Sequence, residues 1–171
     1  MIIFVTGGAR SGKSDFGQGM AEKLGGKRLF LATAQAFDEE MSLRIQNHRE
    51  QRGSRWNTLE EPVYIGRALR SAAGLYDTVL VDCLTVWMSN LLLKYPDQDE
   101  KVSEIVDDFF LNMKGFKGTI IVVSNEVGMG IVPDNKLARL YRDRLGFLNQ
   151  RMAKGADQVY VLFSGIPFKI K

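Results

Sequence analysis

Several things are scarce in this chain, and each scarcity excludes something. There is one cysteine, Cys83, so no disulfide can close within the chain and the cross-linked frameworks of small secreted domains are ruled out. Neither sign of charge dominates: 23 Lys and Arg against 20 Asp and Glu leave a net charge of +3. The basic residues are also spread along the chain, which argues against a nucleic-acid partner. No apolar run approaches the roughly 20 residues of a membrane span. The longest hydrophobic helix candidate, 84–93, is interrupted by Thr85, Ser89 and Asn90. The chain opens on a core-strand pattern instead of the basic-then-apolar plan of a secretion signal. No repeat, low-complexity tract or long linker divides it. The expectation is one cytoplasmic domain over residues 1–171 with no membrane span.

Residues 2–5 form a short apolar, β-branched run that reads as a strand buried on both faces. Immediately after it, Gly7-Gly8-Ala9-Arg10-Ser11-Gly12-Lys13-Ser14 fits G-x-x-x-x-G-K-[ST], the phosphate-binding P-loop. The glycines let successive N–H groups converge on one anion. The helix that follows points its positive end at the same charge. Lys13 can reach the β- and γ-phosphates, and the Ser14 hydroxyl can ligate Mg²⁺. The stretch therefore predicts nucleotide binding.

Strand and helix patterns alternate along the rest. Helices are expected over 15–24, 38–52, 62–73, 84–95, 100–113 and 135–154, and strands over 28–33, 56–60, 78–82, 119–124, 158–163 and 166–170. The last two strands flank Ser164-Gly165 as a hairpin. The fold class expected is α/β: a three-layer P-loop NTPase (RecA-like) with a mostly parallel sheet and a C-terminal antiparallel hairpin. Ligands of such sheets bind at the carboxyl ends of the strands, where Thr33, Asp82 and Ser124 sit on the P-loop's edge.

Asp82 closes an apolar strand, the Walker-B arrangement, which would put its carboxylate near Mg²⁺ directly or through water; an N-cap for the next helix is the alternative. His48, the one histidine, shares a helical stripe with Met41 and Ile45 and has Arg44, Arg49 and Arg52 around it. A cationic surround keeps an imidazole neutral and nucleophilic, although a lone helical histidine is more often structural. Glu60 or Glu61 could accept from guanine N1–H and its amino group, or be solvated surface charge. The N-K-x-D guanine motif is missing, since Asn135-Lys136-Leu137-Ala138 lacks the acid, which argues against a Ras-type switch. The glycine-interrupted loop 125–133 suits a substrate contact or lid, or a plain crossover.

Taken together, Gly7–Ser14, the RIQNHR stretch 44–49, residues 56–60, the SNEVGMGIVPDN stretch 124–135 and the closing SGIPFKIK resemble one family along nearly the whole chain. It is the bifunctional adenosylcobinamide kinase / adenosylcobinamide-phosphate guanylyltransferase family of cobalamin biosynthesis. Departures are Asn47 where the family often has a second histidine, and Asp82 where it often has Glu. The resemblance implies transfer of the γ-phosphoryl of ATP or GTP to adenosylcobinamide, then GMP transfer from GTP to adenosylcobinamide phosphate through a GMP-histidine, with His48 as the nucleophile. It also implies that the P-loop, Ala32, Thr33, Ala34, Arg49, Glu50, Gln51, Arg52, Glu60 and Asp82 surround the guanine nucleotide, with Lys13 catalytic in both steps. Mg²⁺ and a homo-trimer are implied too. A monofunctional P-loop kinase with His48 structural, or a non-catalytic nucleotide sensor, are the alternatives.

Overall fold

A computed structural model of the protein describes residues 1–35 and 53–171. The helix expected over 38–52, with His48, lies outside the described residues.

The longest β-branched runs became the central strands. Strands are β1 (Ile2–Gly7), β2 (Arg28–Ala32), β3 (Asn57–Glu60), β4 (Thr78–Asp82), β5 (Thr119–Val123), β6 (Gln158–Phe163) and β7 (Ile166–Lys169). Helices are α1 (Lys13–Leu24), α2 (Ile65–Ala72), α3 (Leu84–Lys94), α4 (Asp99–Gly115) and α5 (Lys136–Gly155). One sheet runs in the order β3-β2-β4-β5-β1-β6-β7. All neighbours pair parallel except the antiparallel β6–β7 hairpin. The edge strands β3 and β7 are exposed throughout, whereas the first four residues of β4 are buried. Pro167 in β7 removes a donor from that edge, as suits an edge strand.

Alternation splits the strand side chains between two layers. Ile3, Val5, Phe30, Leu80, Ile121, Val123 and Leu162 pack with Ala21 of α1 and with Trp56. Phe4, Leu31, Val79, Val81, Ile120 and Val122 face the opposite layer, with Leu69, Trp87, Phe109 and Leu145 from α2 to α5. Gly17 lets α1 sit close: a Cβ there would lie 3.2 Å from Leu80 Cδ1. On the other layer Trp87 is fully buried, meets Phe109 edge-on at 5.2 Å, and donates its indole N–H to Val63 O at 2.7 Å. Trp87→Ala is therefore expected to lower unfolding stability by about 3–5 kcal/mol in a urea titration.

Boundaries moved in three informative places. Helix α1 starts at Lys13, two residues earlier than expected, because the P-loop feeds straight into it. Pro62 is outside the helix: Glu61 Oε1 accepts from the N–H groups of Val63 and Tyr64, both at 2.9 Å, and α2 begins only at Ile65. Asn135 is the N-cap of α5, its side chain accepting from Ala138 N at 3.1 Å.

Candidate active site

The register lines up the carboxyl ends of the strands. Glu60, Ala32, Asp82, Val123, Val5 and Tyr160 form one row across β3, β2, β4, β5, β1 and β6. Past the β1 end of this row the chain turns through 7–14 into α1. Arg10 (φ 55) and Gly12 (φ 86) take left-handed conformations, and Gly7 has φ 149. Gly7 still pairs with Leu162, and a Cβ on it would lie 2.4 Å from Leu162 O. Gly7→Ala is thus expected to lower stability by about 1–3 kcal/mol through backbone strain alone, before counting the clash. Gly8→Ala, with nothing within 4 Å of its Cβ, should stay within about 0.5 kcal/mol of wild type in the same thermal unfolding series.

Two distant segments brace the loop. Glu126 N donates to Gly7 O at 3.0 Å, and Gly165 N, from the hairpin turn, donates to Ser11 O at 3.1 Å. Lys13 is 6% exposed, and its ammonium donates to Gly8 O and, at 3.2 Å, to Ser11 Oγ. Burial holds its pKa below the ordinary 10.5, offset in part by the nearby charges of Cys83 and Asp82. Burial, and secondarily Asp82, push the Cys83 thiol above 9.0. At neutral pH that thiol is protonated, which leaves the Asp82 carboxylate as the charge that partly offsets the effect of burial on Lys13. Ser14 is half-buried in the first turn of α1.

Asp82 stands at the end of β4, and the N-cap of α3 is Cys83, which makes no side-chain capping bond. The N-cap position of α3 therefore falls on Cys83, one residue after Asp82. Thr33 is fully buried, its hydroxyl accepting from Cys83 N and donating to Cys83 O, both at 2.8 Å. Ala32 and Ala34 flank it, half-exposed, at the end of β2. Glu60 is exposed at the end of β3, while Glu61 is taken up by the turn into α2. P-loop, Asp82 and Glu60 thus share one edge of the sheet. His48, Arg49, Glu50, Gln51 and Arg52 lie outside the described residues.

The side chains that tie this edge together lie outside the motifs. Asn125 N donates to Thr85 Oγ1 at 2.7 Å, and Asn149 Nδ2 donates to Asn125 O at 2.9 Å, fixing the start of loop 125–133. Tyr141 donates to Thr85 O at 3.0 Å. Asn90 donates to Thr33 O and Pro62 O. The only advance signal was a polar residue at a helical position that packing buries.

A P-loop entering a helix from the end of a parallel strand, an acid at the end of β4, and helices on both sheet faces define a RecA-like P-loop NTPase fold. A solved structure described as the RadB recombinase shares it, with a TM-score of 0.51 at 14% identity over 94% of this chain and 73% of that one. The family model described as cobinamide kinase / cobinamide phosphate guanyltransferase matches residues 3–170, and the chain belongs to that family. Similar proteins include the bifunctional adenosylcobalamin biosynthesis protein CobP of Pseudomonas aeruginosa, 41% identical over 100% of this chain and 98% of the relative. CobU of Salmonella typhimurium, which bears the same bifunctional description, is 37% identical over the full length of both.

Proposed function

We propose that this chain phosphorylates adenosylcobinamide with ATP or GTP and then moves GMP from GTP onto adenosylcobinamide phosphate, yielding adenosylcobinamide-GDP, in the cytoplasm. The observation that carries the reading is the family match across residues 3–170. The P-loop edge described above supports it.

In the first reaction the substrate hydroxyl oxygen attacks the γ-phosphorus in line, the bond to the bridging oxygen breaks so that the nucleoside diphosphate leaves, and the hydroxyl proton passes to solvent. Loop N–H groups and Lys13 hold the phosphates and meet the charge that develops on their oxygens. Ser14 and Asp82 supply a hydroxyl and a carboxylate, hard oxygen donors of the kind Mg²⁺ takes alongside substrate phosphates. Bound there, the ion would neutralise charge on the phosphate oxygens.

In the second reaction an imidazole nitrogen of His48 attacks the α-phosphorus of GTP, and pyrophosphate leaves. A phosphate oxygen of the corrinoid substrate then attacks the same phosphorus, the N–P bond breaks, and His48 is regenerated. Splitting one displacement into two lets the same cationic clamp serve each. Glu60, at the β3 end, is suited to accept from the guanine edge, with Arg49 and Arg52 drawing phosphate oxygens. The reading extends to a homo-oligomer, a trimer by family resemblance, which would cover exposed apolar side chains such as Ile131, Phe147 and Phe168.

Incubation with α-labelled GTP and Mg²⁺ tests the covalent step. Label should remain on the protein in an acid-labile, alkali-stable bond and move to adenosylcobinamide phosphate when that is added. Protein that turns over both substrates without ever becoming labelled would remove the histidine intermediate.

A further inference from the structure

Helix α3 reads Leu-Thr-Val-Trp-Met-Ser-Asn-Leu-Leu-Leu-Lys, and its core-facing surface is apolar apart from Asn90. That residue is 8% exposed and neighbours Trp87, Leu91 and Leu92 in the same helix, all buried. An amide in such a place is costly unless its donors are used. Both are: Nδ2 donates to Thr33 O at 2.8 Å and to Pro62 O at 3.0 Å. Those carbonyls lie just beyond the ends of β2 and β3, where the parallel ladder has stopped.

One side chain therefore pins two strand ends of the nucleotide edge. Its reach extends to a third, since the Thr33 hydroxyl clasps both backbone groups of Cys83, the residue after Asp82. Among the described residues, none of these hydrogen bonds involves the P-loop. Its own braces come from Glu126 and Gly165.

We propose that Asn90 is a positioning residue for both transfers, holding the Thr33, Glu60–Pro62 and Asp82–Cys83 segments in the geometry the reacting phosphates require while the P-loop grips them independently. The proposal rests on the two-step reading above. It assigns Asn90 an effect on turnover instead of on phosphate affinity.

The near-isosteric Asn90→Leu keeps the volume and removes both donors, and Asn90→Ser keeps one donor. Kinase and GMP-transfer turnover would be measured at saturating nucleotide, with tripolyphosphate affinity by calorimetry and the melting temperature alongside. For Asn90→Leu, kcat should fall about 10- to 100-fold in both reactions, the scale of an ångström-level misplacement, with tripolyphosphate affinity within about twofold of wild type. Asn90→Ser should fall in between. An Asn90→Leu protein that melts earlier but keeps wild-type kcat below its melting range overturns the proposal, because a purely structural amide behaves that way. Equal losses of tripolyphosphate affinity and turnover also overturn it. If Asn90→Leu does not fold, Asn90→Ser decides, and wild-type kcat there rejects the role. A wild-type protein that never carries GMP would count against the histidine intermediate alone, since Asn90 is judged on net turnover.

Discussion

Lys13→Ala should abolish both activities together, lowering kcat/KM for kinase and for GMP-adduct formation by about 10²–10³-fold or more each. Loss of a single preorganised donor from a transition-state clamp has that scale, and here a full charge leaves with it. Lys13 is held ready in the loop: 6% exposed, it donates to Gly8 O and Ser11 Oγ. Burial disfavours its charged form and Asp82 offsets this only in part, so an incoming triphosphate adds negative charge that favours the ammonium.

The sign of the pH dependence follows. The folded protein binds this proton less tightly than an ordinary lysine at 10.5 does, so the alkaline loss of free-enzyme phosphate affinity should begin below that value. In Lys13→Ala that limb should vanish while the residual affinity stays flat. Steady-state rates and calorimetric titration with tripolyphosphate across alkaline pH check both statements. Retention of either activity at wild-type level would detach that reaction from the P-loop.

Much of this edge was legible from one dimension because its central strands are buried on both faces. Such strands must be written as near-continuous apolar runs, and the bounds of 78–82 emerged as expected. The P-loop was legible for a different reason: its spacing is a list of backbone demands, met at Gly7 and Gly12 by their positive φ. Less visible were hydrogen bonds between residues far apart in sequence. Asn90 reaches 57 residues back to Thr33, and no periodicity encodes that partner. Asn90 therefore read only as an interruption of an apolar run.

Glu61 shows the same blindness at short range. Two adjacent glutamates offered the same chemistry, and only the turn into α2 separates them, one taken up by Val63 N and Tyr64 N and the other at the strand end. Glu61 was thus set apart by what the backbone needed nearby.

His48→Ala should eliminate GMP-enzyme formation, by about 10⁵–10⁶-fold in the guanylyl step, the scale of deleting a covalent nucleophile, while kinase turnover stays within about threefold. The asymmetry follows from the electron pairs. In γ-transfer the substrate's own hydroxyl oxygen attacks phosphorus, and the protein holds and neutralises. In α-transfer by the proposed route an imidazole nitrogen must make the first bond. With one histidine in the chain, no second imidazole can substitute. Free imidazole supplied to His48→Ala offers a sharper readout. A small nucleophile filling the truncated site should form GMP-imidazole in solution and restore pyrophosphate release, with no label on the protein. Lys13→Ala should show no such rescue, because the missing group there is the clamp and not the attacking atom. Parallel loss of kinase and guanylyl activity in His48→Ala, without imidazole rescue, would instead place His48 among the groups that hold the segment in shape.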